Sequence, residues 1–384
     1  SSLGSKLFLV ETYTNLVPCG FFYHQATFLD KVGVISEVHL LRVMMETIPP
    51  LKDSRLLIKD LRFERVKVRI YQLKTSNKNL RRGILYFHGG VGRFGSYKPS
   101  LTYPLSKGIY TLDSIVVNSS VSYTCRYRLA PEHPYPAQFE DCLTATIHFL
   151  RTAQDHGVDP SRIVICGDSS GGTLTAAVAQ ALVNRRDLPK LRAQILIYPF
   201  LQCVDLNLPS YQQNKGVPIL LKERTLVLGL KYINMDLGIT EEIFKGCHVS
   251  EDRRLKYQKW VSPDYIPHEF KTRGYKPSPT CLPSKEFCEM AEYLFDPVFA
   301  PLLAEDSVIA QLPETFILTC EFDVLRDDGL LYKKRLEDHG IKVTWCHLQE
   351  GFHGTVFVAL FGRVLGFRSG AKGLQKIVNF LRLM

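Results

Sequence analysis

The 384-residue chain carries ten cysteines, yet it has no Cys-x-x-Cys pair and no Cys/His spacing suited to zinc. A zinc module and a thioredoxin-type redox motif are therefore excluded, and no metal or cofactor is expected. Cys166 and Cys320 lie inside apolar, strand-like runs, where a thiol acts as a small buried hydrophobe. Disulfide pairing is not legible. Apolar runs long enough to span a bilayer are also missing. "LFLV" and "LVPCGFF" near the start are interrupted by Glu11, His24 and Asp30, so neither a transmembrane helix nor a clear signal peptide is expected. The chain opens on Ser1 rather than on methionine, which leaves room for a clipped start. There is no block of like charge, no internal repeat and no low-complexity tract. The formal charge is +10, from 48 basic and 38 acidic residues, but "RLLIKDLRFERVKVRI" interleaves those charges with apolar residues. That pattern describes a solvated basic surface, and without a nucleic-acid motif no nucleic-acid partner is expected.

What is present is a globular composition, 45% hydrophobic and 22% charged, with material for a sizeable core. From about Asp60 the chain repeats an apolar run, a turn and a helical pattern. "LRFERVKVRIYQ", "GILYFHGG", "RIVICG", "AQILIYPF", "ETFILTCEFD" and "KVTWCHLQ" read as strands. "AQFEDCLTATIHFLRTAQDHG", the run through Leu182, "GLLYKKRLEDHG" and "LQKIVNFLRL" read as helices. Such alternation predicts an α/β architecture, a mostly parallel sheet covered on both faces. The rhythm breaks between about Leu201 and Ala310, a stretch rich in Pro, Tyr and Lys with helical patches such as "ERTLVLGLKYI" and "EEIFKG". The predicted organisation is an N-terminal cap segment (1–60), a first core half (61–200), a cap insertion (201–310) and a second core half (311–384). "SIVVNSSVSYTCRYR" is too long for one strand and reads as a strand, a short loop and a second extended piece. Within it Asn118-Ser119-Ser120 is a glycosylation acceptor pattern, a weak signal that matters only in a secretory compartment.

The chemistry-bearing motif is "GDSSGG" (Gly167–Gly172), set between the strand "RIVIC" and the helix pattern "TLTAAVAQAL". A G-x-S-x-G run between strand and helix is the nucleophile elbow, which makes Ser169 the candidate nucleophile. In bare form the pattern is only a Gly/Ser-rich turn; the strand before and the helix after give it meaning. Acyl transfer through serine also needs a base, a group to orient that base, and donors for the oxyanion. Asp323 directly follows "TFILTCEF" and His353 follows "KVTWCHLQEGF", giving the chain order Ser, Asp, His with each at the C-terminal end of a strand. The competing readings are that Asp327 or Asp328 merely caps the next helix, and that His339 or His347 takes the place of His353. His339 falls at a helix terminus and His347 inside a strand. "HGG" at His88, Gly89 and Gly90 closes the strand "ILYF"; its backbone N–H groups would join that of Ser170 as the oxyanion hole, and on its own it is a glycine turn.

Taken together with "YRLAPEHPYPA" (Tyr127–Ala137), these motifs resemble the hormone-sensitive-lipase branch of the α/β-hydrolases, and within it the arylacetamide deacetylase-like proteins. The resemblance runs from "IPPLKD" near Ile48 to "EGFHG". It implies an α/β-hydrolase fold with a helical cap and hydrolysis of carboxylic esters, arylamides or acylglycerol lipids without a cofactor. The family's nucleophile, acid and base fall on Ser169, Asp323 and His353, and its oxyanion loop on His88, Gly89, Gly90 and Val91. It further implies an anchor in the endoplasmic reticulum membrane with the catalytic domain lumenal, although no anchor is visible here. Two further departures stand out. The family's loop often reads HGGG where this chain has Val91 and then Gly92, and a β-branched residue resists φ > 0, so a rearranged loop is expected. Residues around Asn118–Arg126 read as an extra segment near the active-site edge. The rival to an esterase is a hydrolase-fold protein that binds small-molecule or lipid ligands with weak or lost catalysis; an acyltransferase or peptidase using the same triad is a third reading.

Overall fold

The computed structural model describes residues 36, 38–40, 42, 56–74, 79–95, 120–217, 220–279, 281–358 and 368–384. Asn118 and most of the segment 1–60 lie outside these residues. The described strands are Leu56–Phe63 (β1), Val66–Leu73 (β2), Arg81–Phe87 (β3), Ser120–Arg126 (β4), Val158–Asp168 (β5), Ala193–Ile197 (β6), Glu314–Phe322 (β7) and Val343–Phe352 (β8). They form one sheet in the order β1-β2-β4-β3-β5-β6-β7-β8. Only Glu64 and Arg65 separate β1 from β2, too short a link for anything but an antiparallel hairpin. β2 pairs antiparallel with β4, and every pairing from β4 through β8 is parallel.

Parallel strands need crossovers, and the helical patterns Ala137–Thr152 (α1), Ser170–Leu182 (α2) and Arg326–Asp338 (α4) supply them; Lys222–Tyr232 (α3) lies in the excursion described below, and Arg368–Arg382 (α5) follows β8. Along β5, Ile163 and Ile165 enter one apolar cluster with Phe149 of α1, Val178 of α2 and Leu331 of α4. Val164 and Cys166 enter the other with Ile377 and Phe380 of α5. That period-two alternation between two buried faces is why the central strands read as continuous apolar runs.

Ser120–Arg126 is not an addition at the active-site edge. It is strand β4, buried between β2 and β3, so any extra residues fall before it.

Between β6 and β7 the chain leaves the sheet through α3 and the shorter helices Thr240–Lys245, Glu251–Tyr257 and Lys285–Met290. A disulfide, Cys247–Cys281, closes 34 residues of this excursion. Chain-entropy reasoning makes such a loop worth roughly 4 kcal/mol. The excursion is also tied to the core through buried acids at the start of α4. Asp327 accepts the Ser210 N–H, and Asp328 accepts the Leu201 N–H and the Tyr211 hydroxyl. Burial pushes Asp328 up to about 7.

Candidate active site

The strand-to-helix turn after β5 has almost no room. A Cβ at Gly171 would sit 2.1 Å from the Phe87 carbonyl oxygen, so only glycine lets α2 approach β3. Ser169 takes φ 54° and ψ −124°, a strained conformation for a residue with a side chain, worth about 1–3 kcal/mol. Its N–H is held by the Ile197 carbonyl at 2.9 Å, which pins the turn to β6. Backbone strain here lifts the hydroxyl away from the sheet.

Asp323 and His353 arrive from the ends of β7 and β8. The Asp323 carboxylate is 1% exposed; one oxygen accepts the Leu325 N–H at 2.9 Å and the other lies 2.8 Å from His353 Nδ1. His353 Nε2 lies 3.0 Å from Ser169 Oγ. A carboxylate only accepts, so Nδ1 carries the ring proton and Nε2 is left to accept the Ser169 O–H. Asn214 fixes the acid loop from the excursion side, donating to the Asp323 carbonyl at 2.9 Å. Tyr198 packs its ring 4.9 Å from the His353 ring. The rival residues face elsewhere. His347 bonds Thr319 and Glu321 on the sheet, His339 bonds the Arg335 carbonyl, and Asp327 and Asp328 hold the excursion.

The loop after β3 keeps the left-handed course that Val91 was expected to break. Gly90, Val91 and Gly92 have φ values of 103°, 54° and 61°. At Gly90 a Cβ would lie 2.3 Å from the Phe94 carbonyl oxygen, so glycine is required there. The loop's amides have separate destinations. Gly89 donates to Asp168 Oδ1 at 2.8 Å and Val91 donates to Ser170 Oγ at 2.7 Å. Among the described residues the Gly90 and Ser170 N–H groups have no protein acceptor. His88 braces the loop instead of pointing to the nucleophile. Its Nδ1 lies 2.7 Å from the Gly89 carbonyl, and Tyr127 stacks on its ring and donates to its carbonyl. Burial holds the His88 pKa below its ordinary value, so the ring is neutral at pH 7.

Asp168 is the residue that sequence reasoning passed over, although it sits inside the elbow motif. It is part-buried, and desolvation raises its pKa, opposed by the hydrogen bonds from the Tyr86 hydroxyl and the Gly89 N–H. It ties the strand-to-helix turn after β5 to the loop after β3.

Beside Ser169 opens a narrow cavity of about 60 Å³ with almost wholly apolar walls, including Phe200, Leu220, Gly229, Tyr232 and Phe299. Tyr135, from the "YRLAPEHPYPA" run, packs edge-on against Tyr232 and Phe299 and donates to Asp296 at 2.9 Å. Among the described residues no cluster of His, Cys, Asp or Glu could hold a metal, and no helix is long and apolar enough to cross a membrane.

Comparison with known proteins agrees with this fold. A family model described as "alpha/beta hydrolase fold" matches residues 84–252 and 281–357. Human arylacetamide deacetylase-like 4 is 43% identical over 357 residues, covering 92% of this chain and 85% of that one. Rabbit (Oryctolagus cuniculus) arylacetamide deacetylase is 35% identical over 379 residues, covering 97% and 90%. Among solved structures, carboxyl esterase 2 from Tuber melanosporum superposes with a TM-score of 0.63 at 19% identity, covering 86% of this chain and 88% of that one, a likeness of fold.

Proposed function

The chain belongs to the arylacetamide deacetylase-like family of α/β-hydrolases and is a carboxylic ester hydrolase; from that premise we propose that Ser169, His353 and Asp323 form its catalytic triad. Ser169 Oγ attacks the ester carbonyl while His353 Nε2 takes its proton, and Asp323 steadies the imidazolium that results. The tetrahedral oxygen is held by the N–H groups of Gly90 and Ser170. His353 then returns the proton to the departing alcohol, leaving an acyl group on Ser169. Water, deprotonated by His353, releases the acid. The observation that carries this reading is the unbroken relay, 3.0 Å from Ser169 to His353 and 2.8 Å from His353 to Asp323.

The substrate is a small-molecule or lipid ester, with arylamides chemically reachable, because the apolar cavity offers the acyl or aryl group a dry wall and no charged partner. The lumenal side of the endoplasmic reticulum membrane, implied by the family resemblance, is supported by the Cys247–Cys281 disulfide, since such bonds persist in oxidising compartments.

A fluorophosphonate probe tests the central assignment. Stoichiometric labelling at Ser169, found by peptide mass spectrometry, is expected. A protein that binds ester analogues yet never labels there is a binding protein instead. The cavity assignment has its own test at Gly229, where a Cβ meets only Phe299 Cζ at 3.5 Å, an ordinary contact. Gly229→Leu projects a larger group into the cavity from a site whose backbone tolerates a side chain. Hydrolysis of p-nitrophenyl acetate is expected to stay within about threefold, whereas decanoate falls by 10–200-fold, the range hydrophobic pockets usually discriminate. Equal losses on both esters would place the acyl chain elsewhere.

A further inference from the structure

We infer that the Ser170 hydroxyl is a positioning group of the oxyanion cradle, holding Val91 in its left-handed conformation so that the Gly90 N–H is aimed at the reacting carbonyl. The inference rests on the hydrolase reading of Ser169. Three consecutive loop residues have positive φ, and only the middle one carries a side chain. Glycine enters that region freely, but valine is crowded there by its branched Cβ, so a contact from outside the loop must hold it. The Val91 N–H supplies that contact through its 2.7 Å bond to Ser170 Oγ. On the other side of the turn the Gly90 carbonyl accepts the N–H groups of Arg93 and Phe94, at 3.0 and 2.8 Å, closing the loop.

This arrangement also settles which amides are left for chemistry. The Gly89 N–H is engaged by Asp168 and the Val91 N–H by Ser170. The Gly90 N–H and the Ser170 N–H remain, the latter at the first residue of α2, where a helix presents its unsatisfied donors. Ser170 thus acts through two different atoms: its backbone donates to the oxyanion, and its side chain struts the loop that carries the second donor. Val91 and Ser170 also line the cavity beside Ser169, so the strut sits at the edge of the substrate site.

The test is a double-mutant cycle of Ser170→Ala and Val91→Gly, with kcat and KM measured on p-nitrophenyl acetate and fluorophosphonate labelling run on each protein. Ser170→Ala is expected to lower kcat about tenfold with KM within twofold, because the strut acts on the tetrahedral oxygen and not on ground-state binding. With Val91→Gly already present, the same change is expected to lower kcat less than twofold, since glycine keeps the left-handed turn without help. Ser170→Thr, which retains a hydroxyl, is expected to stay within threefold of the parent. The inference is overturned if Ser170→Ala keeps full kcat, if the loss is equal with and without Val91→Gly, or if Ser170→Thr is as slow as Ser170→Ala. Absence of labelling in the parent protein would remove the hydrolase reading, and this inference with it. Labelling with an additive cycle would remove the inference alone.

Discussion

Ser169→Ala is expected to lower kcat for p-nitrophenyl acetate hydrolysis by about 10⁶-fold and to abolish fluorophosphonate labelling, with the melting temperature unchanged. The size of the loss follows from removing the atom that forms the covalent intermediate, after which only substrate binding and the oxyanion donors act on the background reaction. The unchanged stability has a local reason. Alanine meets the same resistance as serine to φ 54°, and the bond from the residue 169 N–H to the Ile197 carbonyl is a backbone bond that the substitution leaves in place. A melting temperature that rises by several degrees would mean that the hydroxyl itself is strained. A kcat within tenfold of the parent would remove Ser169 from the mechanism.

Asp323→Asn is expected to cost about 10⁴-fold in kcat, the size seen when a triad base is held in the wrong tautomer. The structure gives the reason in advance. One carboxylate oxygen accepts the buried Leu325 N–H and the other faces His353 Nδ1. An asparagine must spend its single oxygen on Leu325, because a buried amide N–H left without a partner is penalised by about 1–3 kcal/mol. Its NH₂ group then faces His353 and requires Nδ1 to be the acceptor. The ring proton moves to Nε2, the atom that has to receive the Ser169 proton. Steady-state kinetics check this, and NMR of the imidazole nitrogens should show protonation exchanged between the two sites. A kcat within tenfold of the parent would mean that Asp323 serves only as the cap of the turn before α4.

Much of this site was legible because its determinants are local. Gly167–Gly172 encodes a strand, a tight turn and a helix within one short run, and Asp323 and His353 each follow an apolar strand by a single position. The α/β class was equally open, since β5 and β7 read as apolar runs and the helices between them as periodic. What escaped depends on approaches between distant segments. Val91 looked incompatible with its loop because nothing in the neighbouring sequence announces Ser170 Oγ, which reaches it from the turn after the adjacent strand β5. Asp168 looked like the variable position of a motif, yet it holds Tyr86 and Gly89 from β3 and the loop beyond it. The stretch around Asn118–Arg126 looked like an addition because relatives run from their strand almost directly into "YRLAP", whereas Ser120–Arg126 is itself strand β4. Disulfide pairing among ten cysteines cannot be read from spacing, and the pairing of Cys247 with Cys281 emerges only once the excursion has folded.

The proposed reacting groups and one side of the cavity wall come from different parts of the chain. Ser169, Asp323 and His353 stand on strand ends of the sheet, whereas Phe200, Leu220, Gly229, Tyr232 and Phe299 belong to the excursion between β6 and β7. Substitution at those five excursion positions therefore reshapes the wall without touching the elbow itself. A lineage can try new wall residues, and so new esters, while the elbow, locked to the loop through Asp168 and to β6 through Ile197, retains its reactivity throughout. The architecture separates innovation in specificity from the risk of losing the reaction.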